Sequence, residues 1–208
     1  MWYWLFKYVL VGPLLWLRYR PRVVGADRIP SAGPVIVAAN HRAFVDSLLI
    51  CFAISRPVYF VAKQEYFAGV GWPARLRRWF FTAAGQIPID RRGGDHAGAA
   101  LATATAILDA GGVWAIHPEG TRTPGDRIYR GRTGVMRVAQ TTGAAVYPVG
   151  IRGTGGRWAR ASVVIGAPLG PEVTADLDAR AATDRLMADI AVLAAVGVVG
   201  EYAQRDRR

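Results

Sequence analysis

Pro34-Val35-Ile36-Val37-Ala38-Ala39-Asn40-His41-Arg42-Ala43-Phe44-Val45-Asp46 is a stretch in which a strand gives way to a helix. The run Pro34 to Ala39 is short, rich in Val and Ile, and opens after Ala32-Gly33, which reads as a buried strand. The run Ser47 to Ile54 is apolar and lacks Gly and Pro, and a helix is predicted over 43–54. His41 then sits at the carboxyl end of a strand, where open α/β sheets carry their chemistry. Asp46 falls in the first turns of the helix. A carboxylate there can take the proton of one imidazole nitrogen and leave the other as a base. The same pair also fits a structural role, with an acid favouring the helix dipole beside a hydrogen-bonded histidine. The five-residue spacing alone does not separate the two readings.

Outward from this stretch the pattern repeats. Strands are predicted near 22–25, 34–39, 57–61, 86–89, 113–116, 144–150 and 162–166, and helices near 43–54, 72–83, 95–110, 134–142 and 176–196. Such alternation predicts an α/β fold with a mixed, largely parallel central sheet flanked by helices. With no repeat, low-complexity tract or linker to divide it, the chain reads as one domain over 21–208 preceded by a distinct segment, 1–20.

The chain has 208 residues, 52% of them apolar, and a net charge of +11. Mean hydropathy is +0.18. Arginine carries nearly all the positive charge, since Lys7 and Lys63 are the only lysines. A basic, aromatic-rich chain of this kind points to an anionic partner: nucleic acid, an anionic membrane surface or a phosphorylated substrate. The single cysteine, Cys51, rules out an internal disulfide and lies on the apolar helix, where a packing role is expected.

Residues 2–17 of MWYWLFKYVLVGPLLWLRYR are apolar apart from Lys7. As a helix they would reach about 24 Å, short of the roughly 30 Å hydrocarbon core, and Gly12-Pro13 is expected to interrupt them. No cationic region precedes the run and no small-residue cleavage site follows it. Arg18, Arg20 and Arg22 form a cationic hem. The segment therefore reads as a monotopic or peripheral anchor at the cytoplasmic face of the cell membrane, or else as an ordinary helix packed on the domain.

Polar clusters recur at strand ends. Asp90-Arg91-Arg92 follows the strand at 86–89, and two adjacent arginines there can fork a phosphate. His117-Pro118-Glu119-Gly120-Thr121-Arg122 follows the strand at 113–116 and offers a carboxylate, a flexible backbone, a hydroxyl and a guanidinium. Arg122 suits an anionic oxygen of a substrate, and Glu119 could orient that arginine or bind a substrate hydroxyl. Arg127, Arg130 and Arg132 continue the polar loop before a helix whose N–H groups would add to an anion site. The stretch WPARLRRWFF, 72–81, sets cations beside aromatics, suited to lipid headgroups, to the phosphates of a cosubstrate, or to a solvated basic face.

Together these clusters resemble the glycerolipid acyltransferase family of the 1-acylglycerol-3-phosphate acyltransferases and their relatives. His41 and Asp46 match its H-x4-D motif, Ile87 to Arg91 is similar to its second block, Glu119-Gly120-Thr121-Arg122 matches E-G-T-R, and Tyr147-Pro148-Val149 is similar to its fourth. The resemblance covers roughly residues 20–170. His117 stands where the family usually has Phe. It implies an acyl thioester donor, acyl-CoA or acyl carrier protein, and a lysophospholipid acceptor, with no resident cofactor, metal or nucleic acid. In that scheme His41 is the general base and Asp46 fixes its tautomer, while Arg91 and Arg122 hold the acceptor phosphate. Glu119, with Gly120 and Thr121, positions the glycerol. Glycerol 3-phosphate or another lysophospholipid or glycolipid is an alternative acceptor. Two readings outside the family also fit: a metallohydrolase using His41, Asp46, His117 and Glu119, whose spacings match no established zinc motif, and a non-enzymatic basic module that binds anionic lipid or nucleic acid.

Overall fold

The computed structural model describes residues 2–64, 67–89, 96–123, 125–156 and 159–204. Nine strands are found among them: β1 (Arg22–Val24), β2 (Val35–Ala39), β3 (Val58–Lys63), β4 (Gln86–Ile89), β5 (Val113–Ile116), β6 (Arg127–Ile128), β7 (Ala145–Arg152), β8 (Ser162–Ile165) and β9 (Gly197–Val198). Their helical partners are α1 (Trp2–Leu5), α2 (Gly12–Tyr19), α3 (Val45–Ala53), α4 (Trp72–Ala83), α5 (His96–Asp109), α6 (Gly134–Thr142), α7 (Pro171–Thr174) and α8 (Ala179–Ala194), with a π-helical segment, Phe6–Val11, joining α1 to α2. All seven predicted strands and all five predicted helices are present, with ends displaced by three residues at most. The short β6–β9 pair and α7 were not foreseen, being too brief to carry a periodic signal.

Seven strands form one sheet in the order β1-β8-β7-β2-β5-β3-β4. Every neighbouring pair is parallel except β7 and β8. The central strand β2 is buried along its whole length and lies between β5 and β7, with Ala38 opposite Ile116 on one side and Pro148 on the other. A strand covered on both faces must be apolar at every position, which is why 35–39 reads as an unbroken run. Its odd-numbered side chains, Val35, Val37 and Ala39, join the core beneath α3 with Leu49 and Ile50. The even ones, Ile36 and Ala38, join the core formed with α5, α6 and α8 through Leu108, Met136 and Leu186.

Gly12-Pro13 does not interrupt the N-terminal helix. The chain runs helically from Trp2 to Tyr19, and the π segment absorbs the pair: the Gly12 N–H reaches back to the carbonyl of Lys7, five residues away. Pro13 falls in the first turn of α2, where a missing N–H costs little. The wider turn also keeps one stripe facing inward. Tyr3, Lys7, Val11, Leu15 and Tyr19 recur every four residues and are all buried or half-buried, a spacing that a pure α-helix of about 3.6 residues per turn would rotate away from. Lys7 is thus turned inside, its ammonium donating to the Ile54 carbonyl that ends α3. Burial lowers its pKa, an effect the nearby Cys51 partly opposes. Trp2, Tyr8, Val9, Leu14, Trp16 and Leu17 remain exposed on the other side. Among the described residues no helix is long and apolar enough to cross a membrane.

Where β7 passes under α8 the two backbones nearly touch. A β-carbon on Gly150 would lie 2.3 Å from the backbone of Leu193 and Ala194. Neither element can yield, because β7 is paired on both sides and α8 carries Leu186, Met187 and Ile190 into the core. Gly150→Ala should destabilise the protein by about 3 kcal/mol, and thermal denaturation should show a Tm lower by roughly 6–12 °C.

Candidate active site

β2 and β5 are adjacent and parallel, so the residues following each emerge side by side. His41 follows β2 by two positions and His117 follows β5 by one, and their rings stack with centroids 3.9 Å apart and planes 7° from parallel. His41 Nδ1 lies 3.2 Å from Asp46 Oδ2. The His41 side chain keeps 17% of its surface exposed and Asp46 keeps none. Nε2 of His41 has no partner among the described residues.

Asp46 is held before it meets the histidine. The N–H groups of Arg42 and Ala43 donate to Asp46 Oδ2 at 2.6 and 2.7 Å, which folds the chain into a tight turn just ahead of α3. Both readings of this acid are therefore realised by one oxygen, which closes the turn and receives Nδ1–H. Burial alone would raise the Asp46 pKa. The hydrogen bonds from His41 and Ala43 outweigh it and hold the carboxyl below its usual range.

Glu119 is buried, at 1% exposure, and both its oxygens are taken. Oε1 accepts the His41 N–H at 2.9 Å, while Oε2 accepts the Thr123 hydroxyl at 2.7 Å and the Tyr129 N–H at 3.0 Å. Thr123 closes the loop from the other side, its N–H donating to the His41 carbonyl at 2.8 Å while its one hydroxyl proton goes to Glu119. His41 is clamped at both of its backbone polar groups. Burial raises the Glu119 pKa, and the bonds from Tyr129, Thr123 and His41 oppose that rise. These contacts turn Glu119 inward against the His41 backbone. Gly120 closes the turn, its N–H donating to the His117 carbonyl at 3.0 Å with φ at +76°, a conformation that glycine adopts without strain.

His117 is fixed at both nitrogens. Nδ1 lies 3.0 Å from the Ala39 carbonyl, which can only accept, so that nitrogen carries the proton. Nε2, 3.0 Å from Ser47 Oγ, accepts the serine hydroxyl. Burial, followed by repulsion from His41, pushes the His117 pKa down to about 3. The ring stacked on His41 is thus neutral and in one tautomer.

The remaining sequence candidates divide. Thr121 is half-buried and Arg122 is exposed, and Arg122 makes no hydrogen bond or ion pair with the described residues. Arg91 lies outside the described residues. Arg130 turns away to Asp184 at 3.5 Å, and both Arg130 and Arg132 lie over the Tyr202 ring. Among the described residues no three His, Cys, Asp or Glu side chains converge where they could hold a metal ion. Sequence reasoning missed Asn40 and Thr123. Asn40 is buried and its amide continues the β2–β7 ladder, donating to the Ile151 carbonyl and accepting the Ile151 N–H at 3.0 and 2.7 Å. Its signal was a polar amide closing a wholly buried strand. Thr123 had no signal, since one more hydroxyl in a polar loop is unremarkable in a sequence.

Residues 20–152 match the Acyltransferase family. The chloroplastic 1-acyl-sn-glycerol-3-phosphate acyltransferase of Arabidopsis thaliana is 26% identical over 138 residues, 66% of this chain and 37% of the relative. The 1-acyl-sn-glycerol-3-phosphate acyltransferase of Borreliella burgdorferi is 30% identical over 136 residues, 64% of this chain and 51% of the relative. This chain thus spans about half the length, or less, of these curated relatives. The crystal structure of the 1-acyl-sn-glycerophosphate acyltransferase PlsC from Thermotoga maritima superposes with a TM-score of 0.68 at 25% identity, covering 86% of this chain and 73% of that one.

The two buried carboxyls should impose opposite pH dependences on stability. Asp46 has a lowered folded-state pKa, so its contribution is full above its unfolded value of 3.8 and is lost as pH falls through the folded value. Glu119 has a raised one, so its ionisation erodes stability as pH climbs from its unfolded value of 4.5 through the folded value. Urea denaturation across that range should show a shallower acid limb in Asp46→Asn than in the wild type. Glu119→Gln should lose the decline on the upper side, although it starts from a lower stability because one amide cannot serve three donors.

Proposed function

This chain belongs to the Acyltransferase family, and we propose that it transfers a fatty acyl group from an acyl thioester to the free glycerol hydroxyl of 1-acylglycerol 3-phosphate, giving phosphatidic acid. The observation that carries this reading is the state of His41: Nδ1 is committed to a buried carboxylate, the backbone is clamped, and Nε2 is left without a partner among the described residues at a strand end.

In the reaction the acceptor oxygen attacks the thioester carbonyl while Nε2 takes the hydroxyl proton. The C–S bond of the tetrahedral intermediate then breaks, and the departing sulfur receives that proton from the imidazolium. Asp46 keeps Nδ1 protonated and stabilises the imidazolium between the two steps. Ser47 and Cys51 are not placed as acyl carriers, since the Ser47 hydroxyl is given to His117 and Cys51 is buried, with burial pushing its thiol up to about 12. Transfer is therefore direct, in a ternary complex. The N–H groups of Arg42 and Ala43 are spent on Asp46, which leaves Phe44 and Val45, next in the same turn, to face the oxyanion.

Arg122, exposed at the end of the clamp loop, binds the acceptor phosphate together with Arg91 of the matching second block. Glu119 acts as a positioning residue through the His41 backbone. Gly120 and Thr121 shape the loop that carries Arg122. His117, neutral and tethered at both nitrogens, is a fixed plate against which the His41 ring rests. The donor is acyl-CoA or acyl carrier protein, and no resident cofactor takes part. The exposed aromatic side of the N-terminal helix holds the protein at the cytoplasmic face of the cell membrane, where the acceptor lies.

The test is acyl transfer by the purified 208-residue chain supplied with palmitoyl-CoA and 1-acylglycerol 3-phosphate. The wild type should form phosphatidic acid, and His41→Ala should lose about a hundred- to ten-thousandfold in rate. Consumption of the thioester with another lysolipid or with glycerol 3-phosphate alone would move the acceptor assignment, and no consumption with any hydroxyl would end the reading. His117→Ala should lower kcat by as much as about a hundredfold through misorientation of His41, while KM for both substrates stays near the wild-type value.

A further inference from the structure

We propose that α4 is a second membrane-contacting element, continuous with the N-terminal helix, and that the two form one docking face for an anionic lipid bilayer beside the mouth of the active site. The inference extends the reading of the N-terminal helix as an interfacial anchor and does not depend on the identity of the acceptor.

The geometry of α4 supports it. Trp72, Leu76 and Trp79 stand at i, i+4 and i+7 and share one stripe. At the inner end of the stripe, Trp79 meets the N-terminal helix, with Trp2 edge-on at 6.2 Å and Phe6 at 6.3 Å. Toward the outer end the stripe is bare: Leu76 is 54% exposed, Trp72 is 75% exposed, and Val70 in the preceding loop is 96% exposed. Large apolar side chains left this open need a partner that is itself apolar. Through the Trp2–Trp79 contact the stripe adjoins the N-terminal helix, where Tyr8, Val9, Trp16 and Leu17 are also exposed.

The charge pattern selects a bilayer over an apolar protein groove. Arg75, Arg77 and Arg78 flank the stripe, and no acidic residue occurs from Tyr66 to Ile89. Arg77 and Arg78 use part of their guanidinium groups to hold the carbonyls of Ala68, Phe67 and Gly69, which fixes the loop carrying Val70. Apolar and aromatic residues ringed by arginine are the composition of a helix lying in the headgroup region of an anionic leaflet. The same helix borders the catalytic turn, since Phe81 of α4 packs edge-on to Phe44 at 6.1 Å, three residues after His41. A lipid acceptor would reach His41 from the leaflet without crossing water.

The test places an environment-sensitive fluorophore at Leu17→Cys and, separately, at Leu76→Cys in the full chain, Cys51 being buried and unlabelled. Vesicles of phosphatidylcholine with phosphatidylglycerol are then added. The proposal expects a blue shift and quenching by brominated acyl chains at both positions. It also expects that Trp72→Ser with Leu76→Ser lowers vesicle partitioning about tenfold, while turnover of a short-chain, monomeric acceptor is unchanged. Arg75→Gln should weaken binding about fivefold on anionic vesicles and leave phosphatidylcholine vesicles unaffected. A probe at 76 that stays in water while the probe at 17 enters lipid would overturn the proposal and leave the anchor standing. A shift at 76 produced by coenzyme A without vesicles would assign α4 to the donor and overturn it as well. Loss of catalysis with both probes in lipid would fault only the enzymatic reading.

Discussion

The carboxylate of Glu119 is set inside the protein with no ion-pair partner among the described residues, and its charge is met by three donors that belong to three different pieces of chain. Burying a carboxylate is costly unless its lone pairs are satisfied, so the Thr123 hydroxyl, the Tyr129 N–H and the His41 N–H must all arrive together. That requirement ties the end of β2 to the loop after β5 and to the residue just beyond β6. It also explains why the histidine carries its Asp46 contact on a rigid mount. The His41 backbone is fixed by Glu119 and Thr123, and the Asp46 carboxylate is fixed by the turn it closes. The 3.2 Å approach between ring and carboxylate is the meeting of two parts held independently.

The sheet has unequal cover, and the N-terminal helix follows from that. One face is roofed by three helices, α5, α6 and α8. The other has α3 as its main roof, and α3 is nine residues long. Leu15 completes this second core, and Phe6 packs with Ala83 and Ala84 at its margin. The segment that read as an appendage is thus built into the body by its inner stripe and presents an apolar outer side as well. The readings as an anchor and as an ordinary packed helix do not compete, since packing uses the inner stripe and leaves the outer apolar side exposed.

Much of this could be read in the sequence because the determinants are local. A run such as Val35–Ala39 must be a strand buried on both faces, and a polar group following such a run must stand at the sheet's edge. His41, Asp46 and the loop at 117–122 were legible for that reason. What escaped depends on contacts between distant positions. Nothing in Glu-Gly-Thr-Arg tells that a Glu119 oxygen will meet the His41 backbone, 78 residues away. Thr121 and Thr123 are equivalent on paper, and only the turn at Gly120 decides that the second faces inward. The stacking of His117 on His41 needs the β2–β5 register, which periodicity does not supply. Gly12-Pro13 misled in the opposite sense, because proline's effect on a helix assumes α geometry and the chain had stepped into a π turn just before it.

That π turn sets what kinds of inherited change the N-terminal helix can survive. Substitution among apolar residues on its outer side alters no hydrogen bond. Loss or gain of one residue between Phe6 and Val11 is a different event, because it would change the phase between the two halves of the stripe. Rotating the first half by one residue would swing Lys7 from the end of α3 toward the outer, apolar side and bring a neighbour such as Tyr8 inward. Length in this stretch is under tighter constraint than composition, so relatives that differ freely in its letters should keep the same count of residues between Tyr3 and Tyr19.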